Sequence, residues 1–298
     1  MRRPGSSRFS LTMPFGGLNH KERKNTMPSS LSTPSAVAAY YDDDAVSKFY
    51  ELCWGGSDIH IGKYATGNET IADASAAMTQ HLIEQTGVSS GDKVLEIACG
   101  FGGTLRTLAN IGCHMKGIDI SRACVEHARQ VATAAGLDEM IEVDVGDFHA
   151  IDSDADAWDV VICQDSLIHS QDRPKVLGEV HRVLRPGGVF GFSDLLTAEG
   201  ADLEPVEAAF ARLGAAAGIT IHHYQDMART AGFEITLAEE RANDIRTHYD
   251  KLADKLTKPV AGLDKDAAAS ISQSISRWRT ALAGGHITWA CFVARKPV

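Results

Sequence analysis

The sequence predicts an α/β protein: a mostly parallel sheet with helices on both faces. Three observations carry this. From Lys93 onward, short β-branched runs alternate with longer stretches of helical periodicity, the pattern of strands joined through helical crossovers. The first run, Val94-Leu95-Glu96-Ile97-Ala98-Cys99, is apolar enough to be buried and ends in a glycine-rich turn, Gly100-Phe101-Gly102-Gly103, that opens a helix. The chain has 298 residues, 44% hydrophobic and 23% charged. That is the balance of a globular protein with one large domain, or a domain plus an appended lid.

The elements follow in order. Residues 36–86 show apolar spacings of three and four and read as an N-terminal helical lid, broken at Trp54-Gly55-Gly56-Ser57-Asp58. The main domain runs from 87 to 298. Its strands are expected at 94–99, 115–120, 141–147, 158–165 and 189–195, with helices through about 111, through about 135 and at about 172–184 between them. Residues 199–231 read as helical and alanine-rich, 233–240 as a sixth strand, 243–283 as two helices and 287–296 as a closing strand. The segment 197–285 is expected to cap the substrate. The acidic run Asp42, Asp43 and Asp44 reads as a solvated helix start, where carboxylates suit the N-terminal end of the helix dipole.

Charge and cysteine usage narrow the function classes. With 29 Lys and Arg against 39 Asp and Glu, the net charge is −10, a poor match to nucleic acid or an anionic membrane surface. No apolar run approaches the roughly 18 residues of a membrane helix. Six scattered cysteines without a C-x-x-C pair or a His-rich cluster read as reduced thiols in a cytoplasmic protein, with no metal site. Residues 1–35 carry six basic residues and only Glu22 as an acid, a charge of +5 that leaves −15 for the rest. This Ser-, Pro- and Gly-rich stretch reads as disordered. It fits either an organelle transit peptide or an over-long gene start with Met27 as initiator.

Three strand ends agree on a nucleotide-type ligand. The glycines of the 100–103 turn let the backbone approach a ligand that a Cβ would block. Asp119, ending the second strand about 20 residues on, is placed to accept hydrogen bonds from ribose hydroxyls. Asp147 and Phe148 offer a carboxylate and an aromatic face to an adenine. The turn is not G-x-G-x-x-G, and Glu96 just before it suits a cationic amino-acid moiety better than a diphosphate.

The set E-x-A-C-G-x-G-G (96–103), G-I-D-I-S (117–121), G-D-F (146–148) and L-R-P-G-G (184–188) resembles the class I S-adenosylmethionine-dependent methyltransferases over residues 93–195. The resemblance implies a Rossmann-like sheet of seven strands, mostly parallel, with 287–296 as its antiparallel last strand. It implies S-adenosylmethionine as cofactor. The turn with Gly100 and Gly102 would hold the methionine part, Asp119 the ribose, and Asp147 with Phe148 the adenine, with Glu96, Ala98, Ile120 and Gln164 also at the cofactor.

Three further segments, Y-Y-D-D-D-A-V-S-K-F-Y-E-L-C-W-G-G-S-D-I-H-I-G (40–62), Q-D-S-L-I-H-S (164–170) and G-G-H-I-T-W (284–289), resemble sarcosine/dimethylglycine N-methyltransferases and, more distantly, phosphoethanolamine N-methyltransferases. The implied activity is methylation of sarcosine and dimethylglycine to the osmoprotectant glycine betaine, by a monomer or homodimer. By that resemblance Asp165 and His169 lie at the amine, Tyr41 pairs with His169 (Tyr40 is its rival), and Ile59 and His60 touch the cofactor. Gln164 stands where the phosphoethanolamine enzymes have an arginine.

The chemistry of the residues agrees. Methyl transfer to an amine needs an unprotonated lone pair, and an imidazole and a carboxylate four residues apart can take the proton and position the amine. Tyr50, Trp54, Trp278 and Trp289 are candidates for an aromatic wall around a cation. Tyr224, His222 and His223 are candidates for a carboxylate. The basic residues of the cap, Arg212, Arg229, Arg241 and Arg246, are dispersed, and none stands out as a carboxylate clamp. Two other readings remain open: the same transfer to a phosphoethanolamine-type amine, glycine or a thioether, and a non-catalytic S-adenosylmethionine-binding protein.

Overall fold

The computed structural model describes residues 33–298; residues 1–32 of the expected disordered extension lie outside the described residues. Thr33 caps helix α1 (Pro34–Tyr41), its hydroxyl accepting from the Ala36 N–H, and proline at the first turn costs no hydrogen bond. Asp43 caps α2 (Asp44–Phe49) through the N–H groups of Ala45 and Val46. A π-helical turn (Tyr50–Trp54) continues it, and α3 (Ile71–Thr86) follows, ended by Gly87 in the left-handed conformation.

The strands β1 (Lys93–Ile97), β2 (His114–Asp119), β3 (Ile141–Val145), β4 (Trp158–Gln164), β5 (Leu184–Thr197), β6 (Glu234–Glu240) and β7 (Ile287–Arg295) form one sheet in the order β3-β2-β1-β4-β5-β7-β6. The first five are parallel neighbours, and β7 runs antiparallel to both β5 and β6. The crossover and cap helices are α4 (Gly103–Ile111), α5 (Arg122–Ala134), α6 (Arg173–Val183), α7 (Leu203–Phe210), α8 (Ile221–Thr230), α9 (Ala242–Lys255) and α10 (Lys265–Ala283).

Strand side chains alternate between two apolar layers, as the pleat requires. Leu95, Ile97, Val161 and Cys163 join α6 and α8 in one layer, where the Phe192 ring stacks on Phe190 and Phe292 at 4.6 and 4.7 Å. Val94, Val160 and Ile162 join α3, α4 and α5 in the other. All six cysteines are buried and unpaired. Among the described residues no helix is long and apolar enough to cross a membrane.

The structure differs from the sequence expectation in three places. The break in the lid is longer than 54–58: the chain stays non-helical up to Thr70, because its backbone donors are taken by other parts of the fold. The Ile61 N–H binds Asp165, the Gly62 N–H binds His248 and the Tyr64 N–H binds Asp244. Residues 199–231 are not continuously helical. A short 3-10 turn (Ala211–Leu213) follows α7, and Gly214 and Gly218 at φ +60° and +100° separate it from α8. Finally, the acidic run is only partly a solvated helix start. Asp42 Oδ1 instead accepts from the Ser121 hydroxyl at 2.6 Å and the Ala123 N–H, which pins the lid to the start of α5.

Candidate active site

Two cavities meet at the C-terminal ends of the strands. The larger, about 330 Å³, lies over β1, β2, β3 and β4. Ala98, Asp119, Ile120, Asp147 and Phe148 line it, and Ile59 and Tyr41 of the lid close it. The smaller, about 50 Å³, lies between the lid, the 3-10 turn, α9 and α10. Tyr41, Ile59, Asp165 and His169 line both and form the boundary between them.

The backbone shapes the larger cleft. Ala98, after β1, and Asp165, after β4, both adopt positive φ, +56° and +54°, a strain that non-glycine residues bear where the surroundings enforce it. Gly100 also has positive φ, and a Cβ there would lie 2.9 Å from Ile59 Cδ1, so the glycine lets the lid lie against the turn. Asp119 accepts from the Gly100 and Ser121 N–H groups, which fixes its carboxylate facing the cleft. Asp147 Oδ1 takes the N–H and the ring of His149, whose other nitrogen meets the Ser170 hydroxyl.

Glu96 and Gln164 converge on Thr104 behind the glycine turn, Gln164 by a 2.9 Å hydrogen bond. Glu96 Oε2 and Gln164 Oε1 are buried acceptors without a partner among the described residues. Burial, with Asp58 nearby, pushes the Glu96 carboxyl up to about 8. Both residues are buried and line neither cavity, but two acceptors without a partner behind the glycine turn suit a donor-rich cationic group, as the ammonium of S-adenosylmethionine would be. With the carboxylate and aromatic faces at the far end, the residues present fit that cofactor. His60, expected to touch it, lines neither cavity. It is buried against α3 with Nε2 3.2 Å from Thr79 Oγ1 and 3.5 Å from Asp58; burial would lower its pKa, but Asp58 and Asp165 raise it to about 9. The Gly102 N–H is likewise turned inward, to the Cys99 carbonyl.

At the boundary, Tyr41 Oη and His169 Nε2 are 3.1 Å apart, the pairing expected for Tyr41. Tyr40 packs edge-on against Tyr41 and lines only the smaller pocket. Burial and the charge of Arg173 lower the His169 imidazole to about 4, with the Leu213 backbone acting in the opposite direction. The ring is therefore neutral at ordinary pH. Asp165 does not bind His169. Its carboxylate accepts from the Ile61 N–H and the Trp289 indole N–H, both at 2.6 Å, and from the Ser193 hydroxyl. Burial raises its pKa against these three donors and His60. It is thus a carboxylate fixed by three donors, with one acceptor position left on Oδ2.

The smaller pocket is aromatic. Tyr41 and Tyr50 stack at 5.8 Å, Tyr249 and Trp278 at 4.8 Å, and Trp54 completes the wall while its indole N–H binds the His60 carbonyl. Tyr249 and Arg212 were not singled out by the sequence; only the packing of α9 and the 3-10 turn brings them here.

Two residues expected to touch substrate do not. Trp289 is fully buried in β7 and reaches the site only through Asp165. Tyr224 is fully buried in α8, outside both cavities, because its hydroxyl is needed by the buried Asp194 and by Arg173 Nε. His222 and His223, the other carboxylate candidates, also lie outside; they bind Glu199 and cap α8 through Thr220. Arg173 donates to the Ile168 and Ser170 carbonyls, and the Ile168 N–H to Asp194, so this buried network holds the turn that presents His169.

A family model described as a methyltransferase domain matches residues 88–245. A sarcosine/dimethylglycine N-methyltransferase of Halorhodospira halochloris is 32% identical over 263 residues, covering 86% of this chain and 94% of its own. A dimethylglycine N-methyltransferase of Parasynechococcus marenigrum is 31% identical, covering 88% and 96%. Among solved structures, a putative sarcosine dimethylglycine methyltransferase from Galdieria sulphuraria superposes with a TM-score of 0.79 at 27% identity, covering 86% of this chain and 99% of that one.

Proposed function

The chain belongs to the S-adenosylmethionine-dependent methyltransferases, and from that premise we propose that its acceptors are sarcosine and dimethylglycine, with glycine betaine as the final product. The observation that carries the choice of acceptor is the smaller pocket. At about 50 Å³ it has room for a handful of non-hydrogen atoms, and it opens to the cofactor cleft across Tyr41 and His169. A pocket this small and aromatic favours a small alkylated amine over a bulky acceptor.

S-adenosylmethionine, held in the cleft lined by Ala98, Asp119, Ile120, Asp147 and Phe148, would supply an electrophilic sulfonium methyl. The residues of the chain do the rest. The Asp165 carboxylate, fixed by three donors, attracts the cationic amine and orients it. Tyr41 and the neutral His169 face that amine, and before transfer its proton passes to His169 Nε2, which releases it to water. Desolvation between aromatic rings lowers the cost of that loss, since it disfavours the ammonium. The same rings stabilise the quaternary cation of the product. Holding the nitrogen in line contributes most, because transfer to a well-placed nucleophile gains chiefly from orientation.

The six buried, unpaired cysteines support a reducing, cytoplasmic setting. The test is a panel of glycine, sarcosine, dimethylglycine, phosphoethanolamine and a methionine-derived thioether with labelled S-adenosylmethionine, read by product mass. Methylation of sarcosine and dimethylglycine alone is expected. Turnover of another member only would overturn the choice of acceptor, and cofactor binding without any turnover would point to a non-catalytic protein.

A further inference from the structure

The smaller pocket is electrically polarised. Among the residues lining it, Asp165 is the one acid and Arg212 the one fixed cation. Asp165 stands at the boundary with the cofactor cleft, where the amine must be. Arg212 enters from the 3-10 turn, with its guanidinium 5.4 Å from the Tyr40 ring centre and 5.7 Å from that of Phe49. Among the described residues no carboxylate lies within ion-pair distance of it; its neighbours are aromatic rings. Tyr40 Oη, in the same pocket, is buried and has no hydrogen-bond partner among the described residues. A half-buried guanidinium without an ion-pair partner and a buried phenol whose polar neighbour is the Tyr50 hydroxyl line one small cavity, where an anion would complete both.

We propose that Arg212, assisted by the Tyr40 hydroxyl, is the carboxylate clamp of the acceptor site and sets its preference for amino acids over amines that lack a carboxylate. This deepens the proposed function and rests on it. A planar guanidinium matches a carboxylate with two parallel N–H···O bonds. Placing the carboxylate at Arg212 directs the amine of a zwitterion toward Asp165 and His169, so the opposite charges at the two ends orient the molecule for transfer. The Tyr249 phenol, which feels the charges of both Arg212 and Asp165, lies between these influences. One fixed cation suits the single charge of a carboxylate better than a dianionic phosphate. The turn also couples the two ends: Arg212 faces the anion, while the backbone of its neighbour Leu213 acts on the His169 ring.

The experiment compares the wild type with Arg212→Gln and Arg212→Lys on dimethylglycine and on dimethylethanolamine, the amino-alcohol analogue lacking the carboxylate. Binding of dimethylglycine is read independently of turnover from the fluorescence of the pocket tryptophans, Trp54 and Trp278. Arg212→Gln is expected to raise KM and the dissociation constant for dimethylglycine about 10-fold or more, the effect of losing a charge-assisted pair at a half-buried site. Its kcat and its cofactor affinity should change far less, and its preference over dimethylethanolamine should collapse. Arg212→Lys keeps the charge without the fork and should fall between. Wild-type affinity for dimethylglycine in Arg212→Gln overturns the clamp while leaving the proposed acceptors standing. A wild-type enzyme that turns over phosphoethanolamine but neither amino acid overturns the proposed acceptors and the carboxylate assignment together. If Arg212→Gln does not fold, Tyr40→Phe serves: a several-fold rise in KM for dimethylglycine alone supports the clamp, and an unchanged KM overturns the phenol's part in it.

Discussion

Replacing His169 by alanine tests the reaction centre most directly. The ring lines both cavities and meets Tyr41 Oη at 3.1 Å, so its loss takes away the acceptor facing the amine and leaves Tyr41 without that partner. A well-placed proton-transfer group contributes roughly 100- to 10,000-fold, about 3–5 kcal/mol of barrier. Burial and Arg173 hold the ring near a pKa of about 4, which makes it a weak base, so the lower half of that range is expected. Cofactor affinity should change by less than about tenfold, since the ribose and adenine contacts expected of Asp119 and Asp147 stay in place. The lost buried hydrogen bond costs about 1 kcal/mol of stability. Because the wild-type ring is neutral across pH 6–9, the alkaline rise of kcat/KM should follow the substrate ammonium and not an imidazole. The assay is methyl transfer to dimethylglycine across that range, with the cofactor dissociation constant measured by calorimetry. A variant keeping kcat within about threefold of wild type at every pH would refute the role of His169.

Other expected outcomes follow from the same geometry. Asp119→Ala should weaken cofactor binding by about tenfold or more, because its carboxylate is the fixed acceptor facing the cleft; an unchanged dissociation constant would sink the ribose assignment. Tyr224→Phe should cost about 1–3 kcal/mol of stability, by taking a donor from buried Asp194. If it also lowers kcat without raising cofactor KM, the network positions His169; an unchanged kcat would make it purely structural. The cofactor-free protein should lose thermal stability as pH rises from 6.5 to 8.5. Burial raises Glu96 to about 8 and Asp194 to about 7, and Asp58 helps raise His60 to about 9. In each case the folded chain holds a proton that the unfolded chain has released, so stability present at lower pH is lost as pH climbs through those values. Glu96→Gln should flatten this fall. An equally steep fall in Glu96→Gln would show that Glu96 does not titrate there.

Much of the fold could be read from local chemistry. The strand at 94–97, the glycine turn and the acid at the end of β2 are short-range patterns in which each residue's role follows from its neighbours in the chain, and the structure places Ala98, Asp119, Asp147 and Phe148 around one cleft. Tyr41 and His169 are 128 positions apart, and the resemblance paired them before any coordinates did. What the chain order could not reveal was which buried polar residues face the ligand and which support it. Trp289 and Tyr224 look like pocket residues in sequence, yet both point into the protein to satisfy the carboxylates of Asp165 and Asp194. Asp165 and His169 share a short turn but make no bond, because β5, β7 and the lid supply all three donors to Asp165. Arg212 looked like one dispersed cation among four. Only the break after α7, with its two left-handed glycines, carries it over the aromatic pocket formed by the lid and the last two helices. Sequence determined the strands and the strand-end residues around the larger cleft, because those depend on local spacing and backbone freedom, while the pairing of Tyr41 with His169 came from the family resemblance. Tertiary structure decided the acceptor pocket, because it is built where four distant segments converge, and burial there settles which charges are paired and which are left for a ligand.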